Sequence, residues 1–166
     1  VDGIHSSING LGERTGNVAT EEVAAALEIL LNIDTGVKLD KIDGITKMLE
    51  RITNIPIHPN KPVTGTRLFQ LESGVPVQAK TRLENAGIPS AMTPYLAELV
   101  GRENTQIVLG GSSGKENVQI YLDNLDLPYD EEDIGILVDK VKEEGRKHRR
   151  ILTKDEFIEI YNSVKK

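Results

Sequence analysis

The first 17 residues of this 166-residue chain are its least helix-like part, an extended-looking segment that runs directly into a glycine-rich loop and then a helix. Residues 1–17 read VDGIHSSINGLGERTGN, with two short extended runs around Ile4 and Ile8 and then glycines at 10, 12 and 16 that interrupt any regular element. A lone strand cannot satisfy its backbone N–H and C=O groups in a sheet of one. The opening segment therefore either pairs with something outside these residues or is not a strand here. Past Asn17 the pattern is helical, so the expected class is mostly α with a short strand content.

The helices follow from spacing. Val23, Ala26, Leu27, Leu30 and Leu31 recur on one face over about 18–31, with Asn17 or Thr20 as cap and Glu21 and Glu22 in the first turn. Residues 40–53 carry a stripe of Ile42, Ile45, Met48, Leu49 and Ile52, with Asp40 as cap. IPIHPNKPVTGT predicts an irregular connection restricted by its prolines. Residues 66–100 predict short helices separated by Gly74, Gly87 and Pro89, and QIVLG at 106–110 a short strand or buried link. Ser113 with Glu116, Asp130 with Asp133, and Thr153 with Glu156 each predict a helix start. The chain thus divides into 1–35 (strand, loop and helix), 36–105 (linker and first helical part) and 106–166 (link and second helical part).

Composition removes whole classes of function. Twenty Lys and Arg against 26 Asp and Glu leave a net charge of -6, which argues against a general electrostatic grip on nucleic acid or anionic membrane. No apolar run approaches the roughly 20 residues of a bilayer span. Zero cysteines exclude disulfides, zinc–thiolate sites and cysteine nucleophiles, in keeping with a reducing, cytoplasmic setting.

The densest candidate for chemistry is Asn9–Asn17. Gly10, Gly12 and Gly16 let the backbone turn sharply and approach a ligand, and a helix begins immediately afterwards. Glu13 and Asn17 offer oxygen donors suited to a hard divalent cation, and Arg14 a partner for a carboxylate or phosphate. A glycine turn ahead of a capped helix, with Glu13 and Arg14 solvated, explains the same residues without a ligand. Gly110, Gly111, Ser112, Ser113, Gly114 and Lys115 form a second glycine cluster, open to phosphate cradling or to simple helix capping; neither cluster matches the Walker pattern. His5, His58 and His148 have no metal-ligand spacing, and Arg146–Arg150 fits a solvated basic link.

These residues carry a family resemblance. NGLGERTGNVATEEV resembles the segment that closes the catalytic barrel of isopropylmalate, homocitrate and citramalate synthases, which join acetyl-CoA to a 2-oxo acid; hydroxymethylglutaryl-CoA lyase is a more distant relative. PNKPVTGTRLFQLESG at 59–74 and VGRENTQIVLGGSSGKENV at 100–118 resemble the family's next two landmarks, in the same order. The resemblance implies the last βα unit of a (β/α)8 barrel followed by a helical subdomain, with Val1–Ile8 as the eighth strand and 18–31 as the eighth helix. It also implies a divalent metal (Mg, Mn or Zn) with Asn17 as a ligand, a catalytic role for Glu13, and Gly10, Gly12 and Gly16 shaping a cofactor-binding loop. Acetyl-CoA is the implied co-substrate.

The departures are equally specific. The family's first-strand aspartate and seventh-strand His-x-His ligands are absent from these residues. The family's Ser-Gly-Ile-His reads Ser73-Gly74-Val75-Pro76, and the histidine before its later Ser-Gly is Ser112. The expectation is a carboxyl-terminal subunit or fragment of a metal-dependent acyltransferase of amino-acid biosynthesis, inactive alone. Its partners are the missing amino-terminal barrel portion, further copies of itself and a 2-oxo acid, without nucleic acid or membrane. The alternatives are a non-catalytic assembly domain and part of a related acyl-CoA lyase.

Overall fold

The computed structural model describes residues 2–88 and 93–165; the expectations resting on Val1 and Pro89 fall outside them. Among the described residues, six α-helices, short 3-10 and π segments and a two-residue parallel strand pair make up the regular structure, which is mostly helical. The chain divides into two compact units, Val1–Phe69 with Thr93–Asn104, and Gln70–Met92 with Thr105–Lys166.

In the first unit, residues 2–6 carry no regular structure, and the extended chain is reduced to one parallel bridge between Ser7 and Ala19. Ile8 lies in a 3-10 turn, Ile8–Gly10, rather than in an extended run. Helix α1 (Thr20–Ala25) continues as a π-helical segment, Ala26–Leu30. Neither Asn17 nor Thr20 caps it: the N-cap is Ala19, without a side-chain cap, because the bridge to Ser7 already fixes the chain entering the helix. A 3-10 turn, Leu39–Lys41, leads into α2 (Ile42–Thr53), which ends at left-handed Asn54. Asp40 does not cap α2; its carboxylate pairs with Lys41 at 2.7 Å.

Of the two apolar faces anticipated here, only Ile42 is buried in the core. On α1 the buried residues are Glu21, Ala24 and Ala25, while Leu30 and Leu31 are exposed. On α2 they are Ile42, Asp43 and Thr46, while Ile45, Met48 and Ile52 face outward. The core is instead small, built from Ala24, Ala25, Leu39, Ile42, Phe69 and Val100 with their neighbours. Buried Asp43 pairs with Lys47 of the same helix at 2.6 Å and ties α2 to Arg102 at 2.7 Å, and Arg102 also donates to the Thr64 carbonyl.

In the second unit, β1 (Gln70–Leu71) and β2 (Gln106–Ile107) pair in parallel, and α3 (Gly74–Asn85) follows β1. Gly74 opens α3 instead of separating two short helices, and Pro76 sits in its first turn, where a missing N–H breaks no helical bond. Helices α4 (Lys115–Asn124), α5 (Glu131–His148) and α6 (Lys154–Val164) close around Val118, Leu122, Leu137, Val141 and Phe157. Tyr121 meets Phe157 edge to face, ring centroids 5.0 Å apart, and Tyr161 Oη donates to the Pro128 carbonyl at 2.6 Å. Burial on this scale stabilises by about 1.5–3 kcal/mol for each large apolar side chain.

The Thr153–Glu156 capping box is present, with Glu156 N–H donating to Thr153 Oγ1 and Thr153 N–H to Glu156 Oε2. The Ser113–Glu116 pair is not one. Helix α4 starts one residue later, at Lys115, and Asn117 Oδ1 accepts the Gly114 N–H. Ser113 is buried and uses its hydroxyl to accept the Gly110 N–H, which removes it from the cap.

Candidate active-site loop

The segment from Ser7 to Thr20 is a closed loop. Ser7 N–H donates to the Val18 carbonyl and Thr20 N–H donates back to Ser7, so the two ends are tied side by side. Inside, Asn17 N–H donates to the Gly10 carbonyl at 2.9 Å and Gly16 N–H to the Glu13 carbonyl at 3.0 Å. Asn9, Gly10, Arg14 and Gly16 all take left-handed backbone, which closes the loop within so few residues.

The glycines are explained by what they face. A Cβ on Gly12 would stand 2.8 Å from Asn17 Nδ2, and one on Gly10 would stand 2.9 Å from the Asn17 carbonyl. A Cβ on Gly16 would run into the Gly10 carbonyl. Gly10 and Gly12 therefore pack directly against Asn17, while Gly16 closes the loop against the Gly10 carbonyl; Asn17 and Glu13 are both exposed residues. The loop brings together the five residues singled out in the sequence: Gly10, Gly12, Glu13, Gly16 and Asn17.

Beneath it lies a polar base that the sequence did not point to. Glu21 is 1% exposed, and its Oε2 accepts the Asn9 N–H at 3.1 Å. Lys61, arriving from the proline-rich connection, stands 3.2 Å from Glu21 Oε1 and also bonds Glu22. Burial by itself would lower the Lys61 ammonium, yet its hydrogen bonds to Glu22 and Glu21 hold it above its ordinary range. Ser7 Oγ and Asn9 Oδ1 are buried oxygens without a hydrogen-bond partner. Spacing gave no access to this base, because Glu21 and Lys61 are 40 residues apart and Glu21 looked like an ordinary first-turn acid.

The donor set suits a hard cation in kind, with an exposed amide at Asn17, an exposed carboxylate at Glu13 and orphaned oxygens close by in the loop. Among the described residues, no group of three or more His, Cys, Asp or Glu side chains is placed to hold a metal. By themselves, the described residues of the loop do not complete a metal site.

The second glycine cluster is occupied by the protein itself. Glu72 Oε1 accepts the Ser112 N–H at 2.9 Å, and the Glu72 carbonyl accepts from Asn117 Nδ2 at 2.9 Å. Gly74 and Gly114 are in close contact, so the starts of α3 and α4 meet there. Three of the five residues of the basic run pair internally: Arg150 grips the Glu156 carboxylate at 2.6 and 2.9 Å, and Lys147 and His148 both reach Glu144.

Comparison with known proteins places the sequence among named relatives. The family described as HMGL-like matches residues 1–49. A probable 2-isopropylmalate synthase of Ignicoccus hospitalis is 40% identical over 96% of this chain, which spans 38% of that protein. A homocitrate synthase of Methanocaldococcus jannaschii is 35% identical over 97% of this chain and 38% of its own length. An (R)-citramalate synthase of the same organism is 33% identical over 85% of this chain and 28% of its own. The chain belongs to the isopropylmalate, citramalate and homocitrate synthase family. It spans between about a quarter and two-fifths of the length of these curated relatives.

Proposed function

We propose that this chain supplies the last βα unit and the helical subdomain of a metal-dependent acyltransferase that condenses acetyl-CoA with a 2-oxo acid. The observation that carries this is the Asn9–Asn17 loop, in which Gly10 and Gly12 give way to Asn17, Gly16 closes against the Gly10 carbonyl, and Asn17 is left an exposed residue. When bound, a divalent cation supplies Lewis acidity, drawing electron density from the 2-oxo carbonyl. Asn17 would hold that ion through its amide oxygen. Glu13, four residues earlier on the same loop, would bind or receive a proton at the same face. The remaining ligands come from the amino-terminal barrel portion, carried by a separate subunit or the same parent chain.

The outward-facing apolar residues support such an arrangement. Ile45, Met48 and Ile52 on α2 and Leu30 and Leu31 at the end of α1 are surfaces that water does not favour, and a barrel or another copy of the chain would cover them. The test is coenzyme A release by the protein isolated with every chain that accompanies it, supplied in turn with pyruvate, 2-oxoisovalerate and 2-oxoglutarate. Wild type is expected to release thiol only when a divalent metal is present, and Asn17→Ala is expected to lose at least about two orders of magnitude. Unchanged turnover in Asn17→Ala would remove the assigned role.

A second reading rests on Pro76 and Ser112. Pro76 lies in the first turn of α3 and cannot move a proton, and the Ser112 backbone is tied to Glu72. A non-catalytic assembly domain on this scaffold needs neither histidine. In that case Asn17→Ala leaves partner-chain turnover intact, whereas Ile45→Lys on the outward face breaks association.

A further inference from the structure

We infer that Glu21 is a positioning residue, holding the Asn9–Asn17 loop in its working shape through the Asn9 backbone N–H and locked in turn by Lys61. Three observations converge on it. First, Glu21 is the most deeply buried carboxylate among the described residues of the first unit, at 1% exposed against 8% for Asp43. An unpaired carboxylate there would be costly, so its partners define its purpose. Second, one partner is a backbone N–H at the point where the loop enters left-handed conformation, Asn9 at φ 58°. Such backbone is sparsely populated for a residue with a Cβ and persists when its surroundings over-determine it. A charge-assisted hydrogen bond from the first turn of α1 does so at that residue.

Third, Asn9 is fastened on its other side as well. Its Nδ2 donates to the Thr46 carbonyl on α2 at 3.4 Å, while Lys61 spans Glu21 and Glu22 from the connection after α2. Three segments distant in sequence thus meet at the loop's entry: α1, α2 and the proline-rich link. Glu21 touches neither Asn17 nor Glu13 in this arrangement; it acts on them through Asn9 and Gly10, whose carbonyl receives the Asn17 N–H. The inference deepens the reading of the loop as a metal-binding element, and its structural half stands without that reading.

The experiment is amide hydrogen exchange on the assembled protein, comparing wild type with Glu21→Gln and Glu21→Ala. The peptide over Gly10–Asn17 is followed beside controls over Leu96–Gly101 and Ile134–Val141. Glu21→Ala is expected to raise exchange in the loop about tenfold with both controls unchanged, while Glu21→Gln, which keeps an oxygen for the Asn9 N–H, stays within about threefold of wild type. Unchanged loop exchange in Glu21→Ala, or an equal rise across loop and controls, overturns the proposal. Should Glu21→Ala not accumulate folded, Glu21→Asp keeps the charge but is one methylene short of Asn9; it is expected to loosen the loop as Ala would, and wild-type protection there also overturns the proposal. Binding of Mn2+, read from loss of the free-ion electron paramagnetic resonance signal, is measured in parallel. It should weaken about tenfold in Glu21→Ala and little in Glu21→Gln. Absence of Mn2+ binding by wild type defeats the metal reading alone, since hydrogen exchange still decides the role of Glu21.

Discussion

At the level of single residues, the loop is a lesson in why a glycine stands where it does. Gly16 combines a φ of 87° with a backbone oxygen where its Cβ would sit. Gly16→Ala is therefore expected to cost about 2 kcal/mol or more, read as a lower midpoint in urea unfolding, because neither strain nor collision is relieved by a rotamer change. Gly3→Ala meets open space and is expected to stay within about 0.5 kcal/mol of wild type. Glu156 offers a pH test. The Arg150 hydrogen bond, aided by the Thr153 N–H, holds its carboxyl at about 2, down from an ordinary 4.5. A carboxyl depressed by folding contributes stability above its unfolded pKa and loses it as pH falls through the folded value. Melting temperatures should therefore fall more steeply from pH 5 to pH 2 in wild type than in Glu156→Gln. The glycines, Glu13 and Asn17 were legible because a motif sits in consecutive residues. Glu21 and Lys61 were not, because a buried ion pair formed across 40 residues leaves no periodic trace.

The elements divide by how much of their environment the chain itself contains. Helices α5 and α6 bury Ile134, Leu137, Val138, Val141, Phe157 and Ile160 at the positions that helical spacing selects. Phe157→Ala is expected to destabilise by about 3–5 kcal/mol in urea unfolding, since the ring is fully buried against Tyr121. Thr153→Ala should cost about 1 kcal/mol by removing the oxygen that accepts the Glu156 N–H, with Thr153→Ser close to wild type. In the same unit the Ser113–Glu116 pattern misled, because Ser113 is buried and engaged by Gly110 while Asn117 has the shorter path to the helix start. Helices α1 and α2 reverse the spacing argument. Their apolar stripes are as regular as those of α5 and α6, yet Glu21, Asp43 and Thr46 turn inward beside Ala24, Ala25 and Ile42, while most of the large stripe residues do not. Periodicity tells which side chains share a face; it does not tell which molecule that face meets.

For the whole molecule, that reversal is the main physical fact. Five large apolar side chains on two neighbouring elements, Leu30, Leu31, Ile45, Met48 and Ile52, lie exposed in the first unit. Replacing Ile45, Met48 and Ile52 together by Lys, Gln and Lys should leave the urea midpoint of the chain by itself nearly unchanged, because little buried area is lost. The same triple variant should abolish co-isolation of any partner, as read by size-exclusion chromatography of the native assembly. The opening segment tells the same story, since among the described residues Ser7 makes the segment's one strand bridge and residues 2–6 carry no regular structure.

The most direct test of the proposal that this chain works within a completed barrel is native mass spectrometry of the untagged protein from its own cells, with every co-isolating polypeptide identified. The account predicts that these 166 residues appear in stoichiometric complex with a barrel-bearing chain, or joined to one in a single longer polypeptide. Homo-oligomers of the 166-residue chain and nothing else would contradict it.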